Sequence, residues 1–283
     1  MEITGALELL GLKGRGNDAQ CVVSNFSELK IVLVKSKRKA SVEEQLRIKN
    51  IWEKHLEDYP DDFDGYLVSL KEIFKRDGVV NLRVRQTNFS EFFATRDGHN
   101  CKRLVFSSQS LDYDYPIPLS FGIVTQTAPT KNDPKGCIIA AIRGKTAFDC
   151  GRATFLPGGY IDPRNKKKWP LIGNDTTQKR IVPLNEEIRR ELREELPGVV
   201  WNNPPKLLGI VHSLIDSCQT LIAGRMDIAL TAEEVIARSK IGGEIKEIIC
   251  VPADIESLRE FAQKHTLCIH DVYKIALYLA DVM

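Results

Sequence analysis

Residues 154–200 read TFLPGGYIDPRNKKKWPLIGNDTTQKRIVPLNEEIRRELREELPGVV, and this stretch constrains the chain more than any other. It opens as a strand running into a tight Gly158-Gly159 turn and closes as a short helix. At about 100° per residue, Glu187, Glu191, Glu194 and Glu195 fall within about 100° of arc on that helix. Leu184, Ile188, Leu192 and Leu196 form an adjacent apolar stripe. One flank therefore packs while the neighbouring flank gathers negative charge. Like charges one turn apart cost a few tenths of a kcal/mol each in water. At the edge of a core, where screening is weaker, they cost more. A hard divalent cation, Mg2+ or Mn2+, would offset that cost, because it takes oxygen ligands and favours phosphates as co-ligands. The alternative is a solvated acidic face whose charge Arg189, Arg190 and Arg193 balance.

The 283 residues suffice for one large domain or two smaller ones. With 43% apolar and 28% charged residues, the composition is that of an ordinary globular protein. A net charge of +2 gives no general case for nucleic acid or a membrane surface. The seven cysteines, at 21, 101, 137, 150, 218, 250 and 268, include no CxxC pair. Cys21, Cys137, Cys250 and Cys268 have apolar neighbours, which predicts mainly buried thiols in a reducing, cytoplasmic compartment. No cationic segment followed by a long apolar run marks a signal peptide, and no stretch approaches a membrane span.

Along the chain, strands are expected at 3–10, 20–24 and 28–34. The basic run KSKRK over 35–39 reads as a solvated loop. Ser41 can cap the Glu44 amide and open a helix to about Leu56, with Val42, Leu46, Trp52 and Leu56 on one face. Asp61, Asp62 and Asp64 form an acidic turn that could take a cation, though solvation explains them as well. Residues 66–74 and 79–86 predict a hairpin around Asp77-Gly78, and 88–95 a short helix. The polar stretch 110–118 is the candidate boundary between regions 1–112 and 113–283. Residues 119–126 and 136–143 then predict a strand pair, with 137–142 apolar on both faces as in a central strand. Paired strands are expected at 206–215 and 220–230, a helix at 231–238, a strand at 244–251, and closing helices at 255–265 and 269–282. His212 and His270 stand apart without ligand spacing.

Phe155-Leu156-Pro157-Gly158-Gly159, followed by Arg190-Glu191-Leu192-Arg193-Glu194-Glu195 and Gly198, resembles the Nudix hydrolase signature. Three departures accompany the resemblance. Arg190 follows Gly159 by 31 positions where the signature has 14, so 17 residues are inserted, within about 161–181. Val182 stands where the signature has a glutamate, and Pro197 adds a residue before Gly198. The lead-in also resembles one Nudix subgroup, which includes the UDP-glucose diphosphatase of animals. The residues concerned are Trp52, Phe63-Asp64-Gly65, 81–89 and Phe92-Phe93-Ala94-Thr95, with Phe89 and Ala94 where that subgroup has Tyr and Gly.

The resemblance implies a mixed-sheet α/β/α Nudix sandwich preceded by a small α+β region. It implies Mg2+- or Mn2+-dependent hydrolysis of the pyrophosphate bond of a nucleoside diphosphate derivative, with nucleotide sugars such as UDP-glucose first. Carried over by position, Glu191, Glu194 and Glu195 would hold the metal, the Gly159 carbonyl would add a ligand, and Arg190 would fix a carboxylate. Gly158 and Gly159 would approach the substrate, and a glutamate of the helix, or Glu244 or Glu247, would be the base. Glu187 would either stand in for the carboxylate absent at Val182 or lie on the surface. Lys166, Lys167, Lys168 and Trp169 lie in the insertion, where a cationic lid over an anionic substrate is expected, with Trp169 stacking on a base or sugar. The partner is then a small nucleotide, with no membrane and no extended nucleic-acid contact, and a homodimer stays open. The competing expectation is a degenerate Nudix module that binds a nucleotide or protein without turnover. A third is an RNA-end processing enzyme, against which the near-neutral charge argues.

Overall fold

The computed structural model describes residues 2–24, 26, 28–35, 40–60, 64–96, 116–144, 150–172, 179–199, 201, 203–214, 219–239 and 241–283. In chain order its elements are α1 (Ile3–Leu9), β1 (Ala19–Ser24), β2 (Leu29–Leu33), α2 (Val42–Asp58), β3 (Tyr66–Arg76), β4 (Val79–Asn88) and α3 (Phe89–Arg96). Next come β5 (Leu119–Gln126), β6 (Cys137–Arg143), β7 (Ala153–Phe155), β8 (Gly158–Tyr160), β9 (Arg180–Ile181) and α4 (Leu184–Glu195). The chain closes with β10 (Lys206–Ser213), β11 (Thr220–Asp227), α5 (Ala232–Arg238), β12 (Ile245–Pro252), α6 (Ile255–Lys264) and α7 (Ile269–Val282).

The fold is mixed α/β, as the alternation of strand and helix patterns predicts. The larger sheet runs β1-β10-β11-β5-β6-β12, with β7 on β6 and β8 on β5. The β11–β5 pair is parallel and the other pairs are antiparallel. A smaller sheet runs β3-β4-β2-β9. The larger sheet is covered on both faces. Ile139 and Ala141 of β6 face a core shared with the smaller sheet and α4, while Ile138 and Ala140 face α1, α6 and α7. Burial on both sides is why β6 carries no polar alternation.

Three expectations change. Residues 3–9 form a helix, not a strand. Ile3, Ala6, Leu7 and Leu10 repeat at helical spacing and bury their face among α7 side chains. In α2, Ser41 caps the Glu44 amide as expected, but Val42 and Leu46 are exposed. That helix packs through its C-terminal half instead, where Trp52 and His55 meet Phe93. Third, β5 and β6 are paired only at Gln126 and Ile138, after which they diverge and the sheet opens between them.

The hairpin at Asp77-Gly78 forms as expected, both residues having positive φ. Asp64 caps α3: its carboxylate accepts from the Ser90 amide and hydroxyl, each at 2.7 Å. Asp61, Asp62, residues 36–39 and residues 110–115 lie outside the described residues. Sequence regions 1–112 and 113–283 exchange elements: β1 pairs with β10, and β9 of the insertion pairs with β2. Cys137 is buried, Cys21, Cys250 and Cys268 are half-buried, and Cys150 is exposed. No helix is long and apolar enough to cross a membrane among the described residues.

Candidate active site

The opened sheet leaves room for a short turn at its centre. Strand β7 leaves β6, passes a cis Leu156–Pro157 peptide, and returns as β8 against β5 with Gly122 opposite Gly158 and Phe121 opposite Gly159. Across from this turn lies α4. Its Ile188 and Leu192 are buried in the core, and that fixes the rotation of the helix. Glu187, Glu191 and Glu195, one turn apart in succession, consequently line the side facing β8.

The contacts are close. Glu195 accepts the Gly158 amide at 3.0 Å, and its side chain is 11% exposed. Glu191, 14% exposed at its side chain, lies where a Gly159 side chain would begin; a β-carbon there would stand 2.5 Å from its Oε1. Glu187 is buried rather than at the surface, and accepts the Asp162 amide at 3.4 Å. Arg190 ties three acids together: Nη2 lies 2.7 Å from Glu191 and 3.5 Å from Glu187, and Nη1 3.2 Å from Glu194. Arg143 lies 3.8 Å from Glu195 and 3.2 Å from Glu244.

Burial pushes the Glu195 carboxyl up to about 8, and Glu191 beside it pushes the same way. The Gly158 amide, Arg143 and Lys274 pull in the opposite direction. Burial likewise raises Glu191 to about 7, against Arg190 and with Glu194. Glu187 is raised by burial, opposed by the Asp162 amide and Arg190. Burial is the largest cause in both, and it outweighs the two nearby arginines.

Beside the turn a cavity of about 160 Å3 opens, lined among others by Arg143, Gly158, Tyr160, Glu195, Gln219 and His270. Tyr160 donates to Gln219 at 2.7 Å, and Gln219 lies 3.3 Å from His270 Nδ1. His212, by contrast, is buried against Thr220 at 3.0 Å.

The sequence-predicted residues divide. Gly158, Gly159, Arg190, Glu191 and Glu195 come together at the turn. Glu194 does not: its side chain is 58% exposed and turned to Arg190. Trp169 is 3% exposed within the core, so its ring is not offered to a ligand. The 3-10 turn Pro163–Lys168 carries Lys168 at the surface, and Lys166 bonds to Gln86. Glu247 is exposed. Asp271 and Lys274, both buried in α7 and lining the same cavity as Glu195, were missed. Their only signal is two opposite charges one turn apart in an otherwise apolar helix.

Among the described residues, no three His, Cys, Asp or Glu side chains are gathered as a ready metal-binding group. The donor set nevertheless fits a hard cation. Glu195 offers carboxylate oxygens to the cavity and Glu191 offers them against Gly159 at its wall, and Mg2+ characteristically binds through one or two carboxylates with the rest from water and phosphate. No protein-family model matches the chain, and no curated protein is significantly similar to it in sequence.

Proposed function

We propose that the protein is a Mg2+- or Mn2+-dependent pyrophosphohydrolase of the Nudix type, acting on a nucleoside diphosphate derivative such as a nucleotide sugar. The observation that carries this reading is the convergence of Glu191 and Glu195 on the Gly158-Gly159 turn. The same residues carry the resemblance to the Nudix signature. On this reading the larger sheet, with α4 on one side and α7 on the other, is the Nudix sandwich, and the compartment is the cytoplasm.

Glu191 and Glu195 would hold the cation, with Arg190 fixing Glu191 through its 2.7 Å contact. When bound, the cation supplies positive charge against the oxygens of the diphosphate as the anhydride bond breaks. Gly159 lets Glu191 sit against the backbone of the turn. Arg143, in the cavity wall, would meet a substrate phosphate. Glu244, held by Arg143 and exposed, would take the proton of the attacking water.

The test is a panel of nucleoside diphosphate derivatives with Mg2+ or Mn2+, read as phosphate after phosphatase coupling. Metal-dependent turnover of one compound class, lost in Glu191→Gln and Glu195→Gln, is expected. Turnover unchanged in both variants overturns the assignment. A second reading is a binding module without turnover, favoured by Val182, which is core where the signature has a glutamate, and by the hold of Arg190 on Glu194. It predicts nucleotide binding by calorimetry and no product with any divalent metal.

A further inference from the structure

Strand β7 pairs along one side with β6, and at the start of its other side Ala153 bridges Leu267, its amide donating to the Thr266 carbonyl at 2.9 Å. On its other side the backbone of Phe155 is bound by two side chains of α7. Asp271 Oδ1 accepts the Phe155 amide at 2.9 Å and the Thr154 hydroxyl at 3.2 Å. Lys274 Nζ donates to the Phe155 carbonyl at 2.9 Å. The two side chains pair with each other at 2.6 Å, each about 3% exposed. Together they continue that edge past the Leu267 bridge, presenting an acceptor and a donor to one residue's amide and carbonyl.

The path of Lys274 is made by a second residue. A β-carbon at Gly122 would stand 2.6 Å from Lys274 Cδ and 2.8 Å from Nζ. Only a strand without a side chain at that position lets the lysine run through the opened sheet. Its ammonium then ends 3.9 Å from where a Gly158 side chain would begin. The Gly158 amide itself donates to Glu195, which lines the same cavity as Lys274. A buried ion pair is a weak source of net stability, because desolvation offsets most of the attraction. Here both charges also satisfy backbone groups at the approach to one turn.

We propose that Asp271 and Lys274 are positioning residues: they clamp Phe155 at the free edge of β7 and so hold the Gly158 amide toward Glu195. For catalysis the proposal rests on the hydrolase reading above, but the clamp itself is measurable without metal or substrate. Amide hydrogen exchange on the metal-free protein reads it directly. The variants are the double substitution Asp271→Asn with Lys274→Met, which removes both buried charges together, and Gly122→Ala, which keeps both and crowds the lysine.

Each is expected to raise exchange at Gly158 at least tenfold while β11 keeps wild-type protection. In the wild-type reaction, if turnover is found, the same variants are expected to lower kcat at least tenfold with KM within twofold. Wild-type protection at Gly158 in both variants overturns the proposal. So does a rise of equal size throughout β11, which marks general loosening of the fold. Absence of turnover in the wild-type protein sinks the hydrolase reading alone and leaves the exchange result to judge the clamp.

Discussion

A β-carbon on Gly159 would stand 2.5 Å from Oε1 of Glu191, 2.6 Å from its Cδ and 3.0 Å from its Cγ. The φ of Gly159 is not in the left-handed region, so the backbone itself would accept alanine. Gly159→Ala is therefore a test of the carboxylate's place, not of the turn. The glutamate must swing away from the turn and from Arg190. Its end is flexible, so the expected cost in stability is only about 1 kcal/mol, at the low end for overpacking. A displacement of this size at a reacting centre is expected to lower activity on the order of a hundredfold. Urea denaturation and steady-state rates on the same preparation check both figures.

The two raised carboxyls give the metal-free protein a pH-dependent contribution to stability. In the unfolded chain both have values near 4.5, and in the fold Glu191 rises to about 7 and Glu195 to about 8. The folded state then binds more protons than the unfolded state between these limits. The stabilising contribution is fully present below about 4.5 and is lost as pH rises through 7 to 8. Because the two acids interact, the steps belong to the pair. The melting temperature without metal is expected to fall from pH 5 to pH 8.5, and Glu195→Gln to flatten that fall. Added Mg2+ should stabilise more at pH 8.5 than at pH 5, since protons compete with it. Thermal melts across pH, with and without metal, read all three effects.

Features that repeat within one short stretch of chain were legible in the sequence. The acidic flank and apolar stripe of α4 are periodic, so the convergence of Glu191 and Glu195 was readable before the fold. The Asp77-Gly78 hairpin was readable for the same local reason. The outward turn of Glu194 was not readable, because helical phase puts it at the margin of the acidic arc, where Arg190 and solvent compete for it. The burial of Trp169 was not readable, because composition shows lysines beside it but not the core into which β9 draws the chain. Asp271 and Lys274 act on Phe155 across more than a hundred residues, a relation no local pattern carries.

Arg190 reaches three carboxylates with one planar group, at 2.7, 3.2 and 3.5 Å. A lysine offers one compact charge and cannot span them. Arg190→Lys is expected to keep the fold, because the side chain lies at the edge of the core and remains cationic. It should release Glu191 from a fixed orientation. The expected loss in Mn2+ affinity is on the order of ten- to a hundredfold, the usual effect of removing a group that orients a ligand. Calorimetric titration of Mn2+ into both proteins measures it without any substrate.

Trp169 distinguishes packing from ligand contact. Its side chain belongs to the core shared by the two sheets, and its carbonyl accepts from Arg180 at 2.8 Å. Trp169→Ala removes a large buried ring and leaves a cavity that the two sheets cannot close. The expected loss is about 3–5 kcal/mol of stability. Trp169→Phe, which refills most of that volume, should recover a large part. If the ring only packs, KM for any substrate should stay within twofold in the folded fraction of both variants. A raised KM at undiminished stability would instead mean that the ring leaves the core to meet a base or sugar. Urea denaturation alongside substrate titration of the two variants separates these outcomes.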